Sequence, residues 1–104
     1  MIKVSVMYPN TPGSRFDIDY YVNKHMPMVL GKVGDACKGV TIDKGLAGGA
    51  PGAAAPYVVV AHMLFESVPA FQAAFGQHQP AFGADMPNYT DVKPAVQISE
   101  VVKG

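Results

Sequence analysis

Asp17, Tyr21 and His25 recur at intervals of four residues, with Tyr20 immediately beside the middle member. Positions i, i+4 and i+8 of an α-helix lie along one stripe, so this spacing brings a carboxylate, a phenol and an imidazole to a common face. Histidine is the side chain whose ordinary pKa lies nearest neutrality. In an apolar cavity it can take and return a proton, while a neighbouring tyrosine orients it or hydrogen-bonds a substrate oxygen. The chemistry open to such a set is general acid/base catalysis, with His25 and Tyr21 as catalytic candidates and Tyr20 as a substrate-binding one. The same periodicity equally fits a Tyr21/His25 pair that only covers a sheet edge. Adjacent helical positions differ by about 100°, so spacing does not decide which tyrosine faces a pocket. Pro27 removes a backbone donor and is expected to bend or end the helix, leaving the Asn23 carbonyl without its usual partner.

The other polar residues offer fewer directions. His62 is the strongly polar member of the run VVVAHMLF and is either a satisfied buried histidine or a second pocket residue. His78 falls near the end of a helix carrying Phe71 and Phe75, where a cation suits the helix dipole. The three histidines stand singly on three elements, without the His-x-His or His-x-x-x-His pairing a metal site needs, so no metal is expected. Cys37 is the single cysteine; it excludes an internal disulfide and reads as a small buried hydrophobe. No Ser-centred elbow, Cys-His signature or glycosidase-like carboxylate pair is present.

These groups must be positioned by a small set of elements. IKVSVMY alternates with the period of a strand, and Asp17 can cap a helix running through Met28, with Gly31 and Gly34 at its far end. Further strands are expected over Cys37 to Lys44, Tyr57 to Phe65 and Ala95 to Val102. The connection GLAGGAPGAAAP joins the second and third strands, and its glycines lack the spacing of a phosphate-binding loop. Ser67 can cap a second helix with Pro69 in its first turn, and Pro80 is expected to stop it. The order β-α-β-β-α-β is that of an α+β, ferredoxin-like protomer.

The third strand is apolar on both faces, with Tyr57, Val59, Ala61, Met63 and Phe65 on one and Val58, Val60 and Leu64 on the other. Two helices cover one face of a sheet, so a homodimer with sheets packed face to face is expected. The 104 residues suffice for one domain, residues 1–104. Eight basic residues balance eight acidic ones, which leaves no positive field for nucleic acid or an anionic membrane. No apolar run reaches the ~20 residues of a membrane span and MIKVSVMYP lacks a charged leader, so the expected location is the cytoplasm.

The segments FDIDYYVNKHMPMV, DKGLAGGAPGAAAPY, AFQAAFG and DMPNYTDVKPAVQISEV together resemble the EthD family over nearly the whole chain, most specifically at Phe16 to Pro27 and Pro87 to Asp91. The resemblance implies a dimeric α/β barrel built from two ferredoxin-like protomers, with a small-molecule pocket between sheet and helices. It also implies a functional link to a cytochrome P450 system, because the family takes its name from a gene cluster for ethyl tert-butyl ether degradation. Many relatives are labelled reductases, and others of the same architecture perform cofactor-free oxygenation, decarboxylation, dehydration or isomerisation of hydrophobic substrates. Carried over by position, the resemblance makes His25 the proton-handling group, Tyr20 or Tyr21 its neighbour, and Asn88 and Tyr89 substrate-binding residues at the pocket rim. Three readings follow: a cofactor-independent acid/base enzyme acting on a small hydrophobic oxygen-bearing molecule, a non-catalytic carrier of such a molecule for a partner oxygenase, or a haem-binding variant with His25 or His62 as axial ligand.

Overall fold

The computed structural model describes residues 1–104. Its elements are β1 (Ile2–Pro9), α1 (Ile18–Tyr20), a π-helical turn (Tyr21–His25), α2 (Met26–Val33), β2 (Gly39–Lys44), β3 (Tyr57–Phe65), α3 (Val68–Phe75), α4 (Gln79–Asp85) and β4 (Ala95–Glu100), with single 3-10 turns after α2, α3 and α4. The strands form one antiparallel sheet in the order β2-β3-β1-β4. The sheet is open, with β2 and β4 as its edges. The expected dimeric α/β barrel is therefore corrected to a mixed α/β chain with an open four-stranded sheet and helices on one face. Four strands whose edges are not paired with each other close no barrel.

Register follows from alternation. Ile2 lies opposite Phe65, Val4 opposite Met63, and Val6 opposite Ala61, so β1 and β3 turn one apolar row toward the helices. Val4, Val59, Ala61, Met63 and Phe65 are almost completely buried there, against Val29 and Val33 of α2 and Phe82 of α4. The opposite face carries Lys3, Ser5, His62, Thr41 and Gln97 among the half-buried Val58, Val60 and Leu64. It is more polar than the β3 pattern alone suggests. No helix is long and apolar enough to cross a membrane.

Both helical paths contain a proline that does not end them. Asp17 accepts the Tyr20 N–H and starts the first path. At its centre the Met26 N–H bonds back to the Tyr21 carbonyl, five residues earlier, and α2 then proceeds with Pro27 in its first turn. The wider turn changes the hydrogen-bond register just where Pro27 lacks a donor, so the chain neither bends away nor stops. Pro80 likewise sits in the first turn of α4, after a tighter turn over Gly76–His78 has broken the α3 register. The expected stop at Pro80 is thus a restart. This carries helical chain on to Asp85.

The long β2–β3 connection is tied at its base by the Gly45 N–H to the Val58 carbonyl, and by Asn10, which donates from its backbone to Pro56 and from its side chain to Ala55. Cys37, half-buried, rests its thiol against the Gly39 carbonyl.

Candidate functional site

Tyr21 and His25 enclose the π-helical turn and are both buried, at 1% and 5% exposure. Their rings stack with centroids 5.4 Å apart and planes 16° from parallel. The extra residue of the turn sets this arrangement. In a regular α-helix the same two positions would be successive members of a stripe that also included Asp17. Asp17 instead points to the helix start as a cap and takes no part in the site.

The carboxylate beside His25 comes from the far end of the second helical path. Asp85 Oδ2 lies 2.9 Å from His25 Nδ1, while Asp85 Oδ1 accepts from the Tyr20 hydroxyl at 2.7 Å and from the Asn88 amide at 2.9 Å. Burial pushes the Asp85 carboxyl upward, but the hydrogen bonds from Asn88, Tyr20 and His25 outweigh it and hold Asp85 below its ordinary value. Burial lowers the His25 pKa, opposed by its hydrogen bond and charge interaction with Asp85. Near neutrality the pair is therefore carboxylate and neutral imidazole. An ionised carboxylate only accepts, so His25 carries its proton on Nδ1 and leaves the lone pair of Nε2 free to accept.

That lone pair faces Tyr89. The Tyr89 hydroxyl lies 3.4 Å from His25 Nε2 and 2.7 Å from the Tyr8 hydroxyl. With Nε2 as acceptor, Tyr89 donates to His25 and Tyr8 donates to Tyr89. The longer contact is of the kind that shortens when a ligand fills a site. Burial raises the pKa of Tyr8, Tyr21 and Tyr89; hydrogen bonds with Tyr89 and Tyr21 partly offset the effect at Tyr8. Tyr20 is raised first by its bond to Asp85 and then by burial. All four phenols hold their protons at neutral pH.

Tyr8, Tyr21, His25 and Tyr89 line the inner part of a cavity of about 270 Å³ between the sheet and the helices. Its walls are apolar, built from Val6 and Met63 of the sheet and Met26, Val29, Phe75 and Phe82 of the helices. Such a volume lies at the small end of ligand pockets. The cavity opens beside β4, where Val96 is 58% exposed because no helix covers that edge.

The sequence-derived candidates divide accordingly. His25, Tyr21 and Tyr89 meet at the cavity. Tyr20 and Asn88 do not line it; they hold Asp85 from the other side of the imidazole, with Tyr20 on a separate surface hollow between the helical paths. His62 is on the opposite sheet face, where Nδ1 meets Ser5 Oγ at 2.8 Å and Nε2 approaches Asp43 at 3.5 Å. It cannot reach this cavity. Tyr8 and Asp85 escaped the sequence reading. Tyr8 looks like the last residue of an ordinary strand, and Asp85 lies beyond Pro80, whose local meaning is a helix stop.

The comparisons with known proteins agree with one another. A family model described as the EthD domain matches residues 14–93. An EthD-like protein from Ralstonia eutropha JMP134, known from its crystal structure, is 48% identical, and the match covers 98% of this chain and 92% of that one with a TM-score of 0.93. An EthD family protein from Bacillus halodurans C-125 is 17% identical over 96% of this chain and 97% of its own, with a TM-score of 0.66, a likeness of fold alone. No functionally curated protein matches the chain.

Proposed function

The chain belongs to the EthD family, and from that premise we propose that it binds a small hydrophobic, oxygen-bearing molecule in the His25 cavity and moves a proton on it without a cofactor. The observation that carries this reading is the 2.9 Å contact between His25 Nδ1 and Asp85, made at the wall of an apolar cavity. A carboxylate on one ring nitrogen fixes the tautomer, aims the other lone pair and stabilises the imidazolium that forms when a proton arrives.

In the step proposed, an acidic C–H or O–H of the ligand gives its proton to His25 Nε2. It does so directly, or through Tyr89, which passes its own proton to Nε2 and takes the ligand's in exchange. Electrons of the broken bond stay on the ligand as an enolate or alkoxide, which the Tyr8 and Tyr89 hydroxyls can hydrogen-bond. Return of the proton to a different atom gives isomerisation, and return to a leaving oxygen gives elimination of water. Tyr21 packs on the imidazole, and Tyr20 and Asn88 act through Asp85 as positioning residues.

A carrier that delivers a hydrophobic molecule to a partner oxygenase, such as a cytochrome P450 system, is the rival reading. It is favoured by the mutual satisfaction of Tyr8 and Tyr89 at 2.7 Å, which lets the cavity bind without reacting. A haem does not fit the residues present. Both nitrogens of His25 and both of His62 already face protein partners, so axial ligation would have to break one of these contacts.

The homodimer is proposed through the helix-free sheet face, where Val58, Val60 and Leu64 stay only half-buried; Val60→Lys should shift the mass in native mass spectrometry to the monomer. The same instrument tests the function. A small molecule co-purifying with wild-type protein is identified and then incubated with wild type and His25→Ala. Consumption by wild type alone supports the enzyme; retention without change by both supports the carrier.

A further inference from the structure

Lys93 is the charged group among the cavity-lining residues; Asp85 stands behind the imidazole and is not one of them, and His25 is neutral. The nearest acidic residue along the chain is already engaged, since Asp91 Oδ1 accepts the Arg15 backbone N–H at 2.9 Å. No carboxylate lies within 4 Å of the Lys93 ammonium. The segment that carries Lys93 is fixed. Thr90, 3% exposed, donates from Oγ1 to the Arg15 carbonyl at 2.7 Å and receives the Val92 N–H at 3.2 Å, and Pro94 follows at the cavity wall. The arrangement is an exposed lysine on the rim of an apolar cavity whose inner end offers phenol hydroxyls and one imidazole lone pair.

Resting on the cavity reading above, we propose that Lys93 selects the ligand and that the ligand is a small aromatic or alicyclic carboxylate. Its anionic group pairs with Lys93 at the mouth, its ring fills the space between Met63, Phe75 and Phe82, and an oxygen at the far end meets Tyr89 and His25. A neutral hydrocarbon would fill the same walls but leave the lysine unmatched. A carboxylate reaching the inner end would face the Nε2 lone pair of a neutral imidazole, an acceptor, with no cation beside it, so the charge is better placed at the mouth. The lysine thus sets orientation as well as class.

The test measures binding only, by calorimetry, with 2-naphthoate and its neutral isostere 2-naphthamide as probes. Wild type, Lys93→Gln and a remote control, Lys103→Gln, are compared at low and high salt. An exposed lysine supports a modest preference, so wild type and Lys103→Gln are expected to bind the carboxylate about fivefold more tightly than the amide. The preference should weaken with salt and vanish in Lys93→Gln, with amide binding unchanged. Equal binding of the two probes to wild type, or a preference that survives Lys93→Gln, overturns the assignment while leaving the cavity reading intact. If neither probe binds, the cavity reading falls and this inference falls with it.

Discussion

The hydroxyls of Tyr8 and Tyr89 lie 2.7 Å apart, although 81 positions separate them in the chain. Tyr8 ends the row of β1 that faces the helices, and Tyr89 follows the turn that closes the second helical path. Their bond therefore joins the sheet to the segment that brings Asp85 to His25.

Tyr8 and Tyr89 are 2% and 0% exposed, so removing one hydroxyl leaves the other buried with one partner fewer. Tyr8→Phe and Tyr89→Phe should each cost about 1–2 kcal/mol of stability. The double variant should lose less than the sum, by about 1 kcal/mol, in urea denaturation of all four proteins. Simple additivity would show that the two hydroxyls do not interact in solution.

His25 should carry its proton on Nδ1, leaving Nε2 bare. Long-range ¹H–¹⁵N spectra of the neutral protein report the tautomer directly, and a proton on Nε2 would remove the base from the proposed step. Asp85 raises the His25 pKa through its hydrogen bond and charge, against the larger lowering by burial. Asp85→Asn should therefore lower it further, a direction readable from the pH dependence of the same signals.

Stability should fall in two stages on acidification. The folded His25 pKa lies below the ordinary 6.5, so its contribution is complete above pH 6.5 and is lost as pH falls from there toward the folded value, because the unfolded chain binds the proton first. Asp85, held below its ordinary 3.8, contributes above that pH and loses its contribution as pH falls through its folded value. Thermal melting from pH 8 to pH 3 should show a smaller first decline in His25→Gln than in wild type. An identical decline in both would mean that His25 is not held neutral by the fold.

Gly45 has a packing reason to be glycine. A Cβ there would meet the Tyr57 carbonyl oxygen and lie 2.8 Å from the Ala55 Cβ, whereas a Cβ on Gly49 meets nothing within 4 Å. Gly45→Ala should destabilise the protein by about 1–3 kcal/mol, and Gly49→Ala should leave the melting temperature nearly unchanged. Equal melting temperatures would mean that the hairpin base opens without cost.

Legibility in the sequence followed the range of the interaction. Strand β3 and the caps Asp17 and Ser67 were readable because alternation and capping are written in neighbouring residues. Pro27 and Pro80 misled for the same reason. Their local meaning is a helix stop, but a wide turn in one path and a tight turn in the other absorb the missing donor. Helical spacing singles out Tyr21 and His25 and the family resemblance points to Tyr89, whereas the Asp85 partnership spans 60 positions and has no local signature. His62 shows the converse. Its polar character in an apolar strand was visible, but the face it occupies was legible only after the register with Ser5 and Thr41 was known.

The turn from Tyr21 to His25 is one amino acid longer than a regular helix of the same span would use. In genetic terms the difference is one codon, since α-helix lies on either side of the turn. A protein of this family one residue shorter at that place would keep its sheet, its helices and its histidine, yet present the imidazole at a different angle around the helix axis. The length of helix between Asp17 and Pro27 would then separate chains that turn this imidazole toward Asp85 from chains that do not, where overall likeness could not.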